Sequence, residues 1–189
     1  KENLNLNLIE SLSSKMIRDQ SYKNKKFRRY DVEINVPKIS NGRRHFVNQG
    51  IEYAKKIWTD LGFKEMEGPM IESGFWVFDA LFTAQDHPVR EMQDTFFVNK
   101  KAKLPDKEFV NNVKKAHEGK IKGSKGWGYK WKENDAEKVL LRTHTTSVSM
   151  RTLRKNFDKV PAKYFALGKC FRNETIDWSH AFEFNQTEG

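Results

Sequence analysis

The side chains best equipped for chemistry gather near the end of the chain. Arg172, Glu174, His180, Phe184, Gln186 and Glu188 all fall within FRNETIDWSHAFEFNQTEG, residues 171–189. An arginine suits phosphate, because its planar fork donates two parallel hydrogen bonds to oxygens and never loses its charge. Phe184 offers a flat face on which a base can stack, and Gln186 with Glu188, two residues on, can hold an ammonium group. An ordinary half-buried hairpin with a solvated polar face would use the same residues, and alternation alone does not separate the two readings.

The elements that must position these groups are two alternating runs, 164–171 and 180–188, around a polar segment with Asn173, Glu174, Asp177 and Ser179. That arrangement predicts an antiparallel hairpin with a long loop. Side chains alternate along a strand, so His180, Phe182, Phe184, Gln186 and Glu188 are expected on one face. On the first strand the face of Arg172 also carries Cys170, Gly168 and Ala166. Small neighbours make a poor core and a good floor for a flat, charged ligand.

Composition sets the frame. A chain of 189 residues is long enough for one domain with a sizeable core, and 32% charged residues make it hydrophilic. No apolar run approaches the roughly 20 residues needed to cross a bilayer, and KENLNLNLIE lacks the layout of a signal peptide, so no membrane association is expected. One cysteine, Cys170, excludes an internal disulfide and fits a reducing, cytoplasmic setting. The net charge of +10 is concentrated in residues 15–30 and 100–138. Basic stretches of this kind attract phosphate backbones, although surface lysines also simply keep a protein in solution.

In chain order, residues 1–40 read as a basic arm followed by a first strand, with alternation at Tyr30, Val32, Ile34 and Val36 ended by Pro37. Apolar spacing predicts a helix over 43–61 that Gly62 ends, then a strand over 63–71 interrupted by Gly68-Pro69. FWVFDALF, 75–82, is too aromatic to be exposed and reads as core. Another strand starts near Phe96. Residues 100–138 have little periodicity beyond one short helix allowed by Val110 and Val113, and GSKGWGYKW, 123–131, has the composition of a mobile basic loop able to brace a nucleic acid. A strand over 140–143 leads through His144, Thr145 and Thr146 into a helix over 147–157, with the threonines as N-caps and His144 as a core histidine. The histidines and the lone cysteine show no metal-ligand spacing, so no protein metal site is expected.

FRNETIDWSHAFEFNQTEG resembles motif 2 of the class II aminoacyl-tRNA synthetases, in the form carried by catalytic α subunits specific for phenylalanine. The resemblance extends through GFKEMEGPMIESGFWVFDALF, HPVREMQDTFF, GSKGWGYKW and LLRTHTTSVSMRTL, covers roughly 28–189, and looks most like the archaeal and eukaryotic branch. It implies an α+β fold, a mostly antiparallel sheet flanked by helices, with 41–189 as a partial catalytic core: motif 1 at about 43–72, a basic insertion at about 100–138 and motif 2 at about 161–189.

The same resemblance implies that Arg172 binds the α-phosphate of ATP, His180 approaches the outer phosphates, Glu174 touches the nucleotide or the tRNA end, and Phe184 stacks on adenine. Gln186 and Glu188, with His144 and Thr146, hold the amino group of phenylalanine, and Arg90 and Gln93 rank second as site candidates. The implied partners are phenylalanine, ATP with Mg²⁺, tRNA, a β subunit and a second α subunit. Nothing follows Gly189, so the core is expected to be incomplete at its C-terminus, without motif 3 and the aromatic part of the amino-acid pocket. A module that binds RNA or a partner on the same scaffold without turnover is the rival reading.

Overall fold

The computed structural model describes residues 8–29, 31–33, 41–91 and 94–189, which form two compact units, 1–43 and 44–189. In the first unit a single helical turn and a half, α1 (Ser14–Asp19), starts where the Ser13 hydroxyl accepts the amide of Met16 at 3.3 Å. An isolated parallel bridge joins Ile9 to Phe27. The expected first strand rests on Tyr30, Ile34 and Val36, which lie outside the described residues.

The second unit opens with α2 (Phe46–Asp60), whose first turn is capped by the His45 imidazole accepting the Val47 amide at 3.3 Å. Gly62, at φ +82°, then takes the left-handed conformation that turns the chain into β1 (Lys64–Glu65). The single strand expected over 63–71 is two strands in two different sheets. Gly68-Pro69 divides them, because Pro69 has no amide to give a ladder. A Cβ on Gly68 would also sit 2.7 Å from the Val148 side chain. On one side β1 pairs in parallel with β5 (Tyr164–Phe171), which pairs antiparallel with β6 (Glu183–Glu188). On the other, β2 (Ile71–Ser73) and β3 (Phe97–Lys101) flank β4 (Lys138–Leu141), both antiparallel. The Phe171 amide donates to the Arg142 carbonyl at 3.0 Å, which ties the end of β4 to β5. Around these sheets lie α3 (Gly74–Val77), α4 (Lys107–His117), α5 (Glu133–Glu137) and α6 (Thr146–Asn156), so the fold is α+β with mostly antiparallel pairing.

The core follows the aromatic run. Phe75, Trp76, Val77 and Phe78 are buried, the first two against Trp131 and Ala136, the others against Leu140. Asp79 is buried beneath them and accepts from Trp131 Nε1 at 2.8 Å and Gln85 Nε2 at 3.0 Å, while its backbone carbonyl bonds His117 Nε2 at 2.8 Å. This network bears on two expectations. Arg90, a second-rank site candidate, is not free in solvent: its side chain is sequestered, pairing with Asp79 at 3.3 Å and lying over the Phe78 ring. Gln93 lies outside the described residues. The segment 123–131 is not a free loop either, because Trp131 is core and the Tyr129 hydroxyl bonds both His117 Nδ1 and the Gln85 amide. Trp131 and Tyr129 pack into the protein's own interior, while Trp127 and the lysines of the segment remain exposed. An ion pair of buried Glu72 with half-exposed Arg151, at 2.6 and 2.7 Å, joins β2 to α6, with the guanidinium resting on Trp76.

Candidate active site on the β5–β6 hairpin

The register of the hairpin sets the site. Cys170 faces Phe184, Gly168 faces Gln186 and Ala166 faces Glu188, so the small side of β5 lies opposite the functional side of β6, as alternation requires. The Arg172 amide donates to the Phe182 carbonyl at 3.0 Å and closes the hairpin just beyond β5. From there the Arg172 guanidinium lies 5.1 Å from the centroid of the Phe184 ring. A base stacked on Phe184 therefore takes the ring face opposite Arg172, or displaces it.

The strand begins at Glu183 and not at His180, so His180 leaves the shared face and sits in the loop. The cause is Asp177, whose carboxylate accepts the amides of Ser179 and His180, both at 2.7 Å, and pairs with His180 Nδ1 at 2.9 Å. These local bonds compete with the ladder and win. They hold the Asp177 carboxyl far below the usual carboxylate range and push the His180 imidazole up. Glu174 is exposed in the same loop, where its charge also favours protonated His180.

At the other end of β6 the strand meets the start of α6. The Glu188 carboxylate accepts from the hydroxyls of Thr146 at 2.7 Å, Thr145 at 3.3 Å, and Ser149. The Gln186 side-chain carbonyl accepts the Thr145 amide at 3.2 Å and lies 3.5 Å from the Cys170 thiol. The expected capping role of the threonines is thus replaced: Thr145 stands at the N-cap position with no side-chain cap bond, and both hydroxyls serve Glu188. Each hydroxyl here donates to a carboxylate, which makes the stronger, charge-assisted kind of hydrogen bond.

His144 lies beside this cluster. Its Nε2 is 3.0 Å from the Val77 carbonyl, which fixes that nitrogen as the donor, and its buried Nδ1 has no partner. Burial pulls its pKa below the ordinary 6.5, so near neutral pH it is uncharged and Nδ1 presents a lone pair. That lone pair accepts a hydrogen bond; it has none to offer a carboxylate.

Three further groups lie at the candidate site. Thr145 and Ser149 lie on the face of α6 that carries Thr146, at helical spacings of three and four residues, which is the signal that would have found them. Arg142 is buried beneath the hairpin, donating from Nε to the Lys169 carbonyl at 2.8 Å and from a terminal nitrogen to Gly68 at 3.2 Å. Its guanidinium fills the space a side chain at Gly168 would need, 2.2 Å from the ideal Cβ. Burial in turn pushes the Cys170 thiol up, so it stays protonated. Among the described residues no group of three or more His, Cys, Asp or Glu side chains comes together as a metal cluster.

Residues 29–189 match the model of the tRNA synthetase class II core domain (F). The chain is 45% identical to the phenylalanine–tRNA ligase alpha subunit of Methanopyrus kandleri, across 96% of this chain and 35% of that protein. For the subunits of Archaeoglobus fulgidus and Saccharomyces cerevisiae the identity is 40%, across 96% of this chain and 38% and 37% of theirs. It spans little more than a third of the length of the relatives it matches. Among solved structures, pyrrolysyl-tRNA synthetase from Desulfitobacterium hafniense aligns at a TM-score of 0.47 with 16% identity over 76% of this chain and 37% of that chain. With a family match over most of its length, the chain belongs to the class II tRNA synthetase core-domain family.

Proposed function

We propose that this chain forms the core of a phenylalanine–tRNA ligase α subunit, which activates phenylalanine with ATP and passes it to tRNA. The observation that carries this reading is the polarity of β6. Arg172 and Phe184 stand at one end, Glu188 with its hydroxyl donors and His144 at the other, and Gln186 lies between them. Phe184 and Glu188 are four residues apart, about 13 Å along a strand, which is the scale of an aminoacyl adenylate laid along the floor.

In this reading the ammonium group of phenylalanine binds the Glu188 carboxylate, the Gln186 carbonyl and the His144 Nδ1 lone pair, three acceptors facing a donor. The substrate carboxylate is then left free to turn towards the α-phosphate. One of its oxygens attacks that phosphorus, the bond to the bridging oxygen breaks, and pyrophosphate leaves with the electron pair. Arg172 stabilises the charge that builds on the α-phosphate, the kind of contact that acts more strongly on the transition state than on the ground state. In the second step a hydroxyl at the tRNA 3′ end attacks the activated carbonyl and AMP departs. Thr146 and Thr145 orient Glu188, while His180 and Glu174 on the loop meet the outer phosphates and the nucleotide or tRNA end. ATP is the co-substrate, and Mg²⁺ travels on its phosphates.

The assembly in this reading contains a β subunit and a second α subunit. The exposed Phe46, Tyr53, Ile57 and Leu61 of α2 and its C-terminus favour a partner surface there. A cytoplasmic location fits the reaction, and no helix among the described residues is long and apolar enough to cross a membrane. Amino-acid-dependent exchange of labelled pyrophosphate into ATP, run over a panel of amino acids, is the test. Exchange selective for phenylalanine is expected; RNA binding with no exchange for any amino acid would replace this reading with the non-catalytic one.

A further inference from the structure

The loop 172–182 contains one group that the proposed reaction does not use, and it is the group with the most hydrogen bonds there. Asp177 takes the amides of Ser179 and His180, the Ser179 hydroxyl at 3.0 Å and His180 Nδ1 at 2.9 Å, and its own amide donates to the His180 carbonyl at 3.2 Å. The backbone from 177 to 180 is therefore folded onto one carboxylate, and Trp178 is left almost wholly exposed. Every hydrogen bond of the His180 ring is made through Nδ1; among the described residues Nε2 has no partner.

We infer that Asp177 is a positioning residue for nucleotide binding: it turns the His180 ring so that Nε2 faces outward and keeps the ring as an imidazolium whose Nε2–H is offered to a phosphate oxygen. The tautomer argument makes the charge necessary. With Nδ1–H donated to Asp177, a neutral ring would carry a lone pair at Nε2, which repels a phosphate. Only the protonated ring donates at both ends. The charged groups that bear on His180 are Asp177 and Glu174, and both favour protonation. The Ser179 hydroxyl, 3.0 Å from both Asp177 Oδ1 and His180 Nδ1, closes the arrangement from the remaining side.

The inference rests on the reading that His180 meets the outer phosphates of ATP, and a double-mutant cycle separates the two. ATP affinity is measured by calorimetry on this chain for wild type, Asp177→Asn, His180→Ala and the double variant, across pH. Asp177→Asn is expected to weaken ATP about tenfold near neutral pH, as for loss of one charge-assisted contact. The fall in affinity with rising pH should move to lower pH in that variant, and Asp177→Asn should add nothing in the His180→Ala background. A loss that is independent of pH, or that persists without His180, would mean that Asp177 only holds the loop together, and would overturn the inference. Wild-type affinity in Asp177→Asn beside a weakened His180→Ala would overturn it too, yet leave the role of His180 standing. Unchanged affinity in His180→Ala would remove that role and this inference with it. Imidazole nitrogen shifts of wild type supply a readout that needs no variant: a His180 titration midpoint not raised above that of a free histidine refutes the proposal.

Discussion

Changing Glu188 to Gln tests the amino-acid end of the site without altering its shape. In the folded protein Glu188 is bonded to three hydroxyls, and hydroxyl hydrogens rotate. A glutamine keeps one carbonyl oxygen for two of those donors and turns its NH₂ towards the oxygen of the third. The fold should lose about 1 kcal/mol or less, because no buried polar atom is stranded. The ammonium group of phenylalanine loses much more. A hydrogen bond to a charged acceptor contributes about 1.5–3 kcal/mol and a neutral one about 0.5–1.5, so the difference is about 1–2 kcal/mol. That corresponds to a phenylalanine affinity roughly 5- to 30-fold weaker. The constants for phenylalanine and for ATP are read from pyrophosphate exchange, with a urea midpoint as the control for folding. Unchanged phenylalanine affinity with weakened ATP would show that the polarity assigned to β6 is reversed.

Arg172→Ala should lower the rate of pyrophosphate exchange by about 10² while leaving the circular-dichroism spectrum unchanged, since the side chain is exposed and closes no core contact. Wild-type exchange in the folded variant would remove Arg172 from the reaction. Gly168→Ala should destabilise the protein by about 1–3 kcal/mol, because the new methyl group lies 2.2 Å from the Arg142 guanidinium, which is held by two backbone carbonyls. A denaturation midpoint equal to wild type would show that Arg142 yields freely. His144, buried with its pKa below 6.5, contributes stability that is fully present above pH 6.5 and is lost as pH falls towards its folded value, because the unfolded chain then binds the extra proton. Stability should therefore decline from about pH 7 to about pH 5 less steeply in His144→Gln than in wild type; parallel declines would show that His144 is not held neutral.

Period-two alternation was enough to place Phe184, Gln186 and Glu188 on one face opposite Gly168 and Ala166, because a one-residue slip would turn all of them away. The α2 helix and the aromatic core were legible for the same kind of reason, a periodicity that burial imposes. The failures share a cause as well. Alternation carried His180 into the strand, but the carboxylate of Asp177 binds that stretch of backbone locally and ends the ladder at Glu183. Composition reads the segment 123–131 as a mobile loop because its partners are remote in the chain: Trp131 reaches Asp79 across 52 residues, and His117 reaches that residue across 38. A buried residue that gathers such partners through both its carboxylate and its backbone carbonyl leaves no periodic trace.

The start of α6 shows why the site was legible only in part. Threonines ahead of a helix ordinarily cap it, and nothing in HTTSVSM distinguishes that use from another. What redirects them is Glu188, 42 residues away, brought to the helix by the register of β6 on β5. The side chains that could have satisfied the helix's free amides instead surround a carboxylate, and the Thr145 amide is satisfied by Gln186. Helix and strand thus complete each other's hydrogen bonding at the place where an ammonium group would enter. The consequence is that Glu188 arrives oriented, with hydroxyl donors on both of its oxygens, before any ligand binds. An acceptor fixed in advance loses little freedom when a donor reaches it, and in the proposed reading that is how these hydroxyls would raise the affinity of Glu188 for an ammonium group.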